Sequence, residues 1–361
     1  MRLGYFAMPL HPPGADFTKL IHDDLEQMEV LDRLGYEEAW IGEHFTMQWE
    51  PIPSPELFIA NALARTRNIK LGTGVTCMVY HNPFHLAHRI AQLDHMAKGR
   101  FQWGIGTGAS PLDFEVFGID GEKGEQRTVT RDTLDAVLGI WSGKLPKGMH
   151  DNGKWRFKNP EPIEDMNFRI HLKPYQTPHP PIAVAGFSAK SDTLAMAGER
   201  GFMPMSINHV PFHTLKTHWD AYAEGAKRGG HKASRSEWRV ARDVYIAKTT
   251  KQARKEALNG TLARDWFGYV YPVLRKYNYL KIVKLDPDMP DEDVTVEYMV
   301  DNIWLVGSPD DVAAKIRKLY GHVGGFGSVL AMHHEWEPRD AWVQSMTLLA
   351  KQVIPSLSDL T

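Results

Sequence analysis

Short apolar segments alternate with longer segments of helical periodicity along this chain, and this alternation constrains its fold more than any other feature. Residues 3–7 are a short apolar run, and residues 23–34 then carry leucine and methionine along one side of a predicted helix. Gly35 follows at the position where glycine commonly ends a helix. A second apolar run at residues 38–41 completes a pattern typical of βα units on a parallel sheet.

The same rhythm continues to residue 332 and predicts a barrel. Further strands are predicted at residues 69–75, 100–105, 182–185, 203–207, 240–246, 303–306 and 328–332. Such repetition favours an α/β fold, a (β/α)8 TIM barrel, which commonly exceeds ~250 residues as one domain. We predict a single domain over residues 1–361 with rim insertions at about 144–178 and 265–300. The second insertion mixes aromatic, charged and proline residues, which suggests a mobile lid.

Charge and cysteine content argue against several classes of protein. The 361 residues include 42 basic and 44 acidic side chains, a balance that gives no basic field for nucleic acid or an anionic membrane. Cys77 is the single cysteine, which excludes an internal disulfide framework and a cysteine-based zinc site. No apolar run reaches the ~18 residues of a membrane span, and the N-terminal run is too short for a signal peptide. We therefore expect a cytoplasmic protein.

A glycine-rich segment, GIGTGA at residues 104–109, follows the strand predicted at 100–105. It satisfies the G-x-G-x-x-G/A pattern of dinucleotide sites, but Pro111 stands where the helix of such a site should be under way. In a barrel, these glycines would instead let the backbone approach a ligand at the C-terminal end of a strand. A tight turn without a ligand would have the same sequence, so this alternative stays open.

A second segment of small and hydroxyl residues, GFSAKS at 186–191, follows the strand predicted at 182–185. Such residues at a helix N-terminus offer backbone and side-chain donors to an anion such as phosphate. An ordinary helix cap is the alternative, because serine caps are common.

Glu43 and His44 directly follow the strand predicted at residues 38–41. In a barrel they would stand at the catalytic face, where a histidine can exchange protons near neutral pH and Glu43 can tune its charge. A packed, hydrogen-bonded histidine would look the same in the sequence.

The remaining histidines do not predict a metal site. His81, His85 and His88 have helical spacing, as do His209 and His213. Neither set has the H-E-x-x-H form, and no carboxylate completes a ligand set in register. We therefore predict no metal.

Taken together, these segments resemble the bacterial luciferase-like flavin monooxygenases over nearly the whole chain. The most specific stretch is DHMAKGRFQWGIGTG at residues 94–108. The other segments that carry the resemblance are residues 3–6, 34–40, 42–44, 71–75, 185–188 and 302–309. Within the family, the chain is most similar to the limonene and diketocamphane monooxygenases.

This resemblance implies a TIM barrel, usually dimeric, that binds reduced FMN made by a separate flavin reductase and reacts it with O₂. It makes His44, with Glu43 beside it, the active-site pair. The cofactor-binding residues that it implies are Thr73, Gly74 and Val75 beneath the flavin ring, often with a non-proline cis peptide, Thr107, Gly108, Ala109 and Ser110 beside the ribityl chain and phosphate, and Gly186, Phe187 and Ser188 in the phosphate turn.

The implied reaction is oxygenation of a small apolar substrate such as a cyclic ketone, terpene or aldehyde by a homodimer. The chain departs from luciferase where that protein has cysteine followed by arginine, because Gly106 and Thr107 stand there. We therefore expect neither that arginine's charge on the phosphate nor light emission. Two alternatives remain: an F420-dependent oxidoreductase that transfers hydride on the same barrel, and a non-catalytic flavin-binding subunit.

Overall fold

Eight strands form the centre of the molecule. The computed structural model describes residues 1–360, so the last residue of the domain predicted over 1–361 lies outside the described residues. The central strands are β1 Arg2–Ala7, β2 Glu38–Ile41, β3 Lys70–Thr73, β4 Phe101–Gly106, β5 Ile182–Gly186, β6 Met203–Ser206, β7 Arg239–Arg242 and β8 Ser328–Met332. Nearly all their residues are buried, as expected for a parallel sheet that helices cover.

These strands close into a parallel barrel. The order of neighbours is β3-β2-β1-β8-β7-β6-β5-β4. The circle is completed where β3 pairs with β4, with Leu71 opposite Phe101 and Gly72 opposite Gln102. The predicted fold class is therefore confirmed, and the C-terminal ends of all eight strands open at one rim, where enzymes of this architecture place their active sites.

Helices surround the barrel and connect its strands. They span Phe17–Leu34, Pro55–Arg65, Pro83–Ala97, Pro111–Phe117, Glu125–Ser142, Asp192–Glu199, Phe212–Gly229, Thr250–Asn259, Thr261–Asp265, Tyr271–Lys276, Val296–Asn302, Pro309–Val323, Arg339–Leu348 and Ile354–Ser356. π-Helical turns lie at Trp266–Val270 and Leu349–Val353, and 3₁₀ turns at Met78–Tyr80, Glu164–Met166, Arg235–Glu237, Leu280–Ile282 and Asp291–Asp293. Among residues 1–360, each helix is too short or too polar to cross a bilayer.

The first helix begins earlier than its apolar periodicity predicts. Its first turn mixes polar with apolar residues, and the side chain of Asp16 caps it by accepting from the backbone N–H groups of Thr18 and Lys19. Its end agrees with the prediction, because Gly35 adopts a left-handed conformation with φ of 90°.

Two apolar segments that are each predicted to form one strand of the barrel contribute, in part or in whole, to a small side sheet. The run predicted at 240–246 divides into β7 and a separate strand, Val244–Ile246, which pairs with Leu305–Gly307 outside the barrel. The run predicted at 303–306 therefore belongs to this side sheet. Nine apolar runs compete for eight barrel positions, and periodicity does not specify which strand pairs with which.

Trp40 on β2 fills the inside of the barrel and explains two glycines of the neighbouring strand and loop. A Cβ on Gly72 would lie 2.6 Å from the Trp40 ring, and one on Gly74 would lie 2.8 Å from its Cβ. The other buried residues of this inner cluster are Phe6, Ala183, Met205, Ala241, Leu330 and Met332. A larger apolar cluster lies between the strands and the helices.

The predicted insertions have structure of their own. Residues 144–178 include an antiparallel hairpin of Gly148–Asp151 and Arg156–Asn159. Residues 265–300 hold the turn Trp266–Val270 and short helices. The segment begins at the rim, because Asp265 lies 2.7 Å from Nδ1 of His334, just after β8. The assignment of the chain to a single domain stays a prediction.

Candidate active site

The predicted site residues lie at the C-terminal ends of four neighbouring strands, β2 to β5. Contacts join the loops of the first three. Glu43, after β2, accepts from the backbone N–H of Cys77, after β3, at 2.7 Å. The hydroxyl of Thr46 donates to Asp113, after β4, at 2.6 Å. The barrel thus gathers segments that are distant in the sequence into one continuous part of the rim.

His44 lies between two carboxylates. Its Nε2 is 3.0 Å from Oε2 of Glu50 and its Nδ1 is 3.9 Å from Oδ2 of Asp113, while its side chain remains 18% exposed. Burial disfavours the charged ring, but the negative charges of Glu50, Asp113 and Glu43 raise the pKa of His44 above its usual value. The charged form of His44 is therefore favoured, while part of its ring reaches the barrel mouth.

Glu43 acts on His44 by charge and makes its own bonds elsewhere. Its carboxylate is fully buried, and Oε1 lies 2.6 Å from Nε2 of His81. His81 in turn lies 3.0 Å from the guanidinium of Arg89 through Nδ1. Together with the bond to the Cys77 N–H, these contacts make Glu43 an anchor between the loops after β2 and β3.

Ser110 caps a helix. Its hydroxyl is buried and accepts from the N–H of Asp113 at 3.3 Å, in the first turn of Pro111–Phe117. Asp113 also accepts from the backbone N–H of Thr46 at 2.9 Å. This cap holds the Asp113 carboxylate beside His44, so Ser110 lies one step behind the group that faces the histidine.

The end of β3 has the backbone that the resemblance implies. The peptide between Gly74 and Val75 is cis. The Thr73 hydroxyl is buried and donates to the carbonyl of Gly104 on β4 at 2.7 Å. Val75 covers Gly106, where a Cβ would lie 2.4 Å from Cγ2 of the valine. Part of the glycine pattern at 104–109 is therefore explained by protein packing alone.

Residues 107–109 reach the rim. Thr107 and Gly108 are partly exposed and Ala109 is exposed. Gly108 has φ of 74°, and a Cβ there would lie 2.6 Å from the hydroxyl of Tyr80. That hydroxyl is buried and has no hydrogen-bond partner within residues 1–360. An orphaned buried hydroxyl beside an exposed loop is the kind of group that a bound molecule satisfies.

In the turn after β5, the helix cap and the candidate anion-binding hydroxyl belong to two different serines. Ser191 is the helix cap, because its hydroxyl accepts from the N–H of Leu194 at 3.3 Å at the start of Asp192–Glu199. Ser188 is exposed, and its backbone carbonyl accepts from Nε2 of His218 at 2.9 Å. A cap and an anion-binding hydroxyl can therefore coexist in this turn.

The other two residues of this turn have packing roles. A Cβ on Gly186 would lie 2.4 Å from Cδ1 of Leu194, so glycine lets the helix approach the strand. Phe187 meets the ring of Tyr279 edge-on, at 5.6 Å between centroids. The insertion at 265–300 thus reaches the turn after β5.

Three residues around His44 were not predicted from the sequence: Glu50, Asp113 and Tyr269. Glu50 is buried, and its Oε1 accepts from the hydroxyl of Tyr269 at 2.5 Å. Glu50 stands in the same proline-bounded loop as His44, which is a signal that the sequence did contain. Asp113 and Tyr269 have no comparable signal, because they lie 69 and 225 residues from the histidine in the chain.

A second group of buried histidines and carboxylates lies at the ends of β1 and β8. Asp24 accepts from Nε2 of His11 at 3.1 Å and from Nε2 of His333 at 3.1 Å. The ligand atoms of these three residues lie within 4.8 Å of one another. Nδ1 of His333 accepts from the N–H of Leu10 at 3.3 Å, so its proton sits on Nε2 and points to Asp24. Hydrogen bonds thus hold this group together.

Comparison with known proteins places these features in a family. The model of the luciferase-like monooxygenase family matches residues 1–347. The 3,6-diketocamphane 1,6-monooxygenase of Pseudomonas putida is 32% identical, over 99% of this chain and 98% of that protein. The limonene 1,2-monooxygenase of Rhodococcus erythropolis is 31% identical, over 98% of this chain and 85% of that protein.

One solved structure is similar over the full length. It is the oxygenating constituent of 3,6-diketocamphane monooxygenase from the CAM plasmid of Pseudomonas putida, a type II Baeyer-Villiger monooxygenase, in complex with FMN. It matches this chain with a TM-score of 0.91 and 31% identity, over 98% of each chain.

Proposed function

The chain belongs to the luciferase-like monooxygenase family, and on that premise we propose that it is the oxygenase component of a two-component system. It takes reduced FMN from a separate flavin reductase and uses O₂ to oxygenate a small apolar substrate, such as a cyclic ketone, terpene or aldehyde. The observation that carries this proposal is His44, a partly exposed histidine between two carboxylates at the barrel mouth, beside the loops after β3 and β4.

The residues at the rim fit FMN. The orphaned Tyr80 hydroxyl beside Gly108 offers a donor to the ribityl chain or phosphate. Ser188 offers a hydroxyl at the N-terminal end of a capped helix, where the helix dipole favours an anion. Thr73, Gly74 and Val75 would lie beneath the flavin ring, with Thr107 to Ala109 beside the ribityl chain. When bound, reduced FMN supplies the electrons that activate O₂.

The chain's own side chains then have two tasks in this proposal. His44 would give a proton to, or take one from, a reacting group at the barrel mouth, as a general acid or base does, while Glu50 stabilises its charged form. The rings of Phe45, Tyr80 and Phe117 stack or meet edge-on at 4.5–5.7 Å between centroids and give the mouth an apolar wall. Such a wall favours an apolar substrate and excludes water from the reaction.

The proposal includes a second copy of the chain as partner. Five large hydrophobic side chains of the 144–178 insertion are more than half exposed: Met149, Ile163, Met166, Phe168 and Tyr175. Exposed apolar patches of this kind commonly mark protein interfaces. A homodimer would bury them, and light scattering on the purified protein would measure its mass against the 41.0 kDa of one chain.

The function is tested by titrating the purified protein with reduced FMN and, separately, with reduced F420, and then admitting O₂ while recording the absorbance spectrum. We expect tight binding of reduced FMN and an O₂-dependent spectral change that free FMN lacks. Binding of reduced F420 without reaction with O₂ would favour hydride transfer instead. FMN binding with oxidation kinetics unchanged from free solution would favour a non-catalytic flavin-binding subunit.

A further inference from the structure

The loop that carries His44 is clamped between two other parts of the chain. On one side, Thr46 is bonded to Asp113 of the helix Pro111–Phe117. On the other side, Met47 and Trp49 contact the π-helical turn Trp266–Val270 of the second insertion. The insertion therefore meets the loop within a few residues of the histidine.

Three contacts define how the insertion meets the loop that carries His44. The ring of Tyr269 stacks on Trp49 with centroids 5.4 Å apart and an angle of 14° between the planes. Gly268 allows this approach, because a Cβ there would lie 3.0 Å from the Trp49 ring. The Tyr269 hydroxyl lies 3.0 Å from the sulfur of Met47. These contacts fix where the phenol hydroxyl points.

That hydroxyl points at the carboxylate that holds His44. Tyr269 donates to Oε1 of Glu50 at 2.5 Å, and Oε2 of the same carboxylate lies 3.0 Å from Nε2 of His44. Glu50 is only 2% exposed. A buried carboxylate keeps its charge only when hydrogen bonds or opposite charges compensate for lost water, so Glu50 depends on both partners.

We propose that Glu50 is the positioning residue of His44 and that Tyr269 fixes Glu50, so that the second insertion completes the acid–base site. The role of His44 in oxygenation rests on the proposed function. The chain Tyr269–Glu50–His44 itself is a feature of the protein without cofactor and is tested in that state.

The charges around this chain agree with its geometry. The groups that face His44 are Glu50, Asp113 and Glu43, and all three favour its protonated form against the effect of burial. Burial would raise the pKa of Glu50, but His44, Tyr269 and the charge of His209 lower it overall. Burial and the adjacent Glu50 carboxylate raise the pKa of Tyr269 well above its usual range, so the phenol remains a donor.

The experiment is an NMR pH titration of protein labelled with ¹⁵N in its histidines, with the His44 signals assigned from their loss in His44→Gln. We expect Glu50→Gln to lower the titration midpoint of His44 by about 1–3 pH units, because an opposite charge in contact is removed. Tyr269→Phe, which removes only the hydrogen bond that holds Glu50 in place, should lower this midpoint by less than Glu50→Gln does. Glu50→Asp, which keeps the charge one methylene further away, should give a midpoint between those of the parent and Glu50→Gln.

Matched controls come from the same insertion. Tyr277 and Glu292 are exposed, so Tyr277→Phe and Glu292→Gln should leave the midpoint of His44 unchanged. A parent-like midpoint in both Glu50→Gln and Glu50→Asp would overturn the role of Glu50, and a parent-like midpoint in Tyr269→Phe would overturn the role of the insertion. If Glu50→Gln does not fold, Glu50→Asp and Tyr269→Phe decide the two points.

Failure of the proposed function has a different signature. A parent protein that does not bind reduced FMN would refute that function and leave the titration result unaffected. Where the parent does oxygenate a substrate, the pH profile of product formed per O₂ consumed should shift in Glu50→Gln in the same direction as the NMR midpoint.

Discussion

Two groups of histidines and carboxylates stand at the same end of the barrel with opposite arrangements. At the end of β2, one imidazole, His44, lies between two carboxylates, Glu50 and Asp113. At the ends of β1 and β8, one carboxylate, Asp24, lies between two imidazoles, His11 and His333. The first arrangement favours the charged form of its single histidine, whereas the second keeps a charged aspartate between two histidines, of which His11 is also favoured in its charged form.

The two groups also differ in access. The side chain of His44 is 18% exposed, whereas those of His11, Asp24 and His333 are 1%, 3% and 0% exposed. A titratable group that reaches a cleft can serve chemistry, while one that is sealed among charged partners more often belongs to a structural ion-pair network. Residue type and position on the rim are therefore insufficient to identify a catalytic histidine.

The largest effect should come from His44→Ala. We expect the rate of product formation to fall by about 10²–10⁴-fold, because a general acid or base is lost, while O₂ is still consumed and released as hydrogen peroxide. The fold and the affinity for reduced FMN should be retained. His22→Ala, at an exposed histidine, is the matched control and should behave as the parent. Parent-like coupling in His44→Ala would make His44 a structural residue like His11.

For Asp24→Asn, in the sealed group, we expect a loss of stability. Removing one partner of a buried charged group costs about 3–5 kcal/mol of unfolding free energy, measured by urea denaturation. Asp23→Asn is its control, because it breaks only an exposed pair with Lys19 and should cost less than about 1 kcal/mol. Unchanged stability in Asp24→Asn would show that the sealed group does not stabilise the fold.

The pH dependence of stability sharpens the comparison. Burial opposes the charge on His11, but its hydrogen bond to Asp24 and the carboxylate of Glu335, 3.8 Å from Nδ1, raise its pKa from 6.5 to about 9. Its stabilising contribution is therefore complete below pH 6.5 and is lost as the pH rises through 9, and it amounts to something on the order of 3 kcal/mol. Between pH 6.5 and pH 9, the unfolding free energy of His11→Gln should therefore decrease less than that of the parent protein. Equal slopes in both proteins would contradict this assignment.

The smallest effects are expected for two serines of the turn after β5, one assigned to cofactor binding and one to stability. Ser188→Ala should lose roughly 1–3 kcal/mol of affinity for reduced FMN, the scale of a hydrogen bond to a charged group, with little change in stability of the apo protein. Ser191→Ala should instead lose about 0.5–2 kcal/mol of stability, because it removes a helix cap. Calorimetric titration and thermal unfolding measure both quantities. A loss of stability in Ser188→Ala together with a loss of affinity in Ser191→Ala would contradict these two assignments.

The parts of the site that follow a strand directly could be predicted from the sequence. Glu43 and His44 after β2 and the segments after β4 and β5 occupy the rim because the strand pattern sets both where each strand ends and which end faces the rim. What could not be predicted is how each side chain is used. Ser110 and Ser191 both cap helices, and only the structure distinguishes them from the exposed Ser188.

The sequence by itself determined the barrel, the order of its units and the rim position of His44, because periodicity and turn residues act over a few neighbouring positions. The tertiary structure alone decided that the run at 303–306 joins a side sheet, that Tyr269 reaches Glu50 across 219 residues, and that His44 is partly exposed whereas His11 is sealed. The physical reason is that burial, hydrogen-bond partners and pKa depend on which distant segments pack together, and residue types alone do not specify that packing.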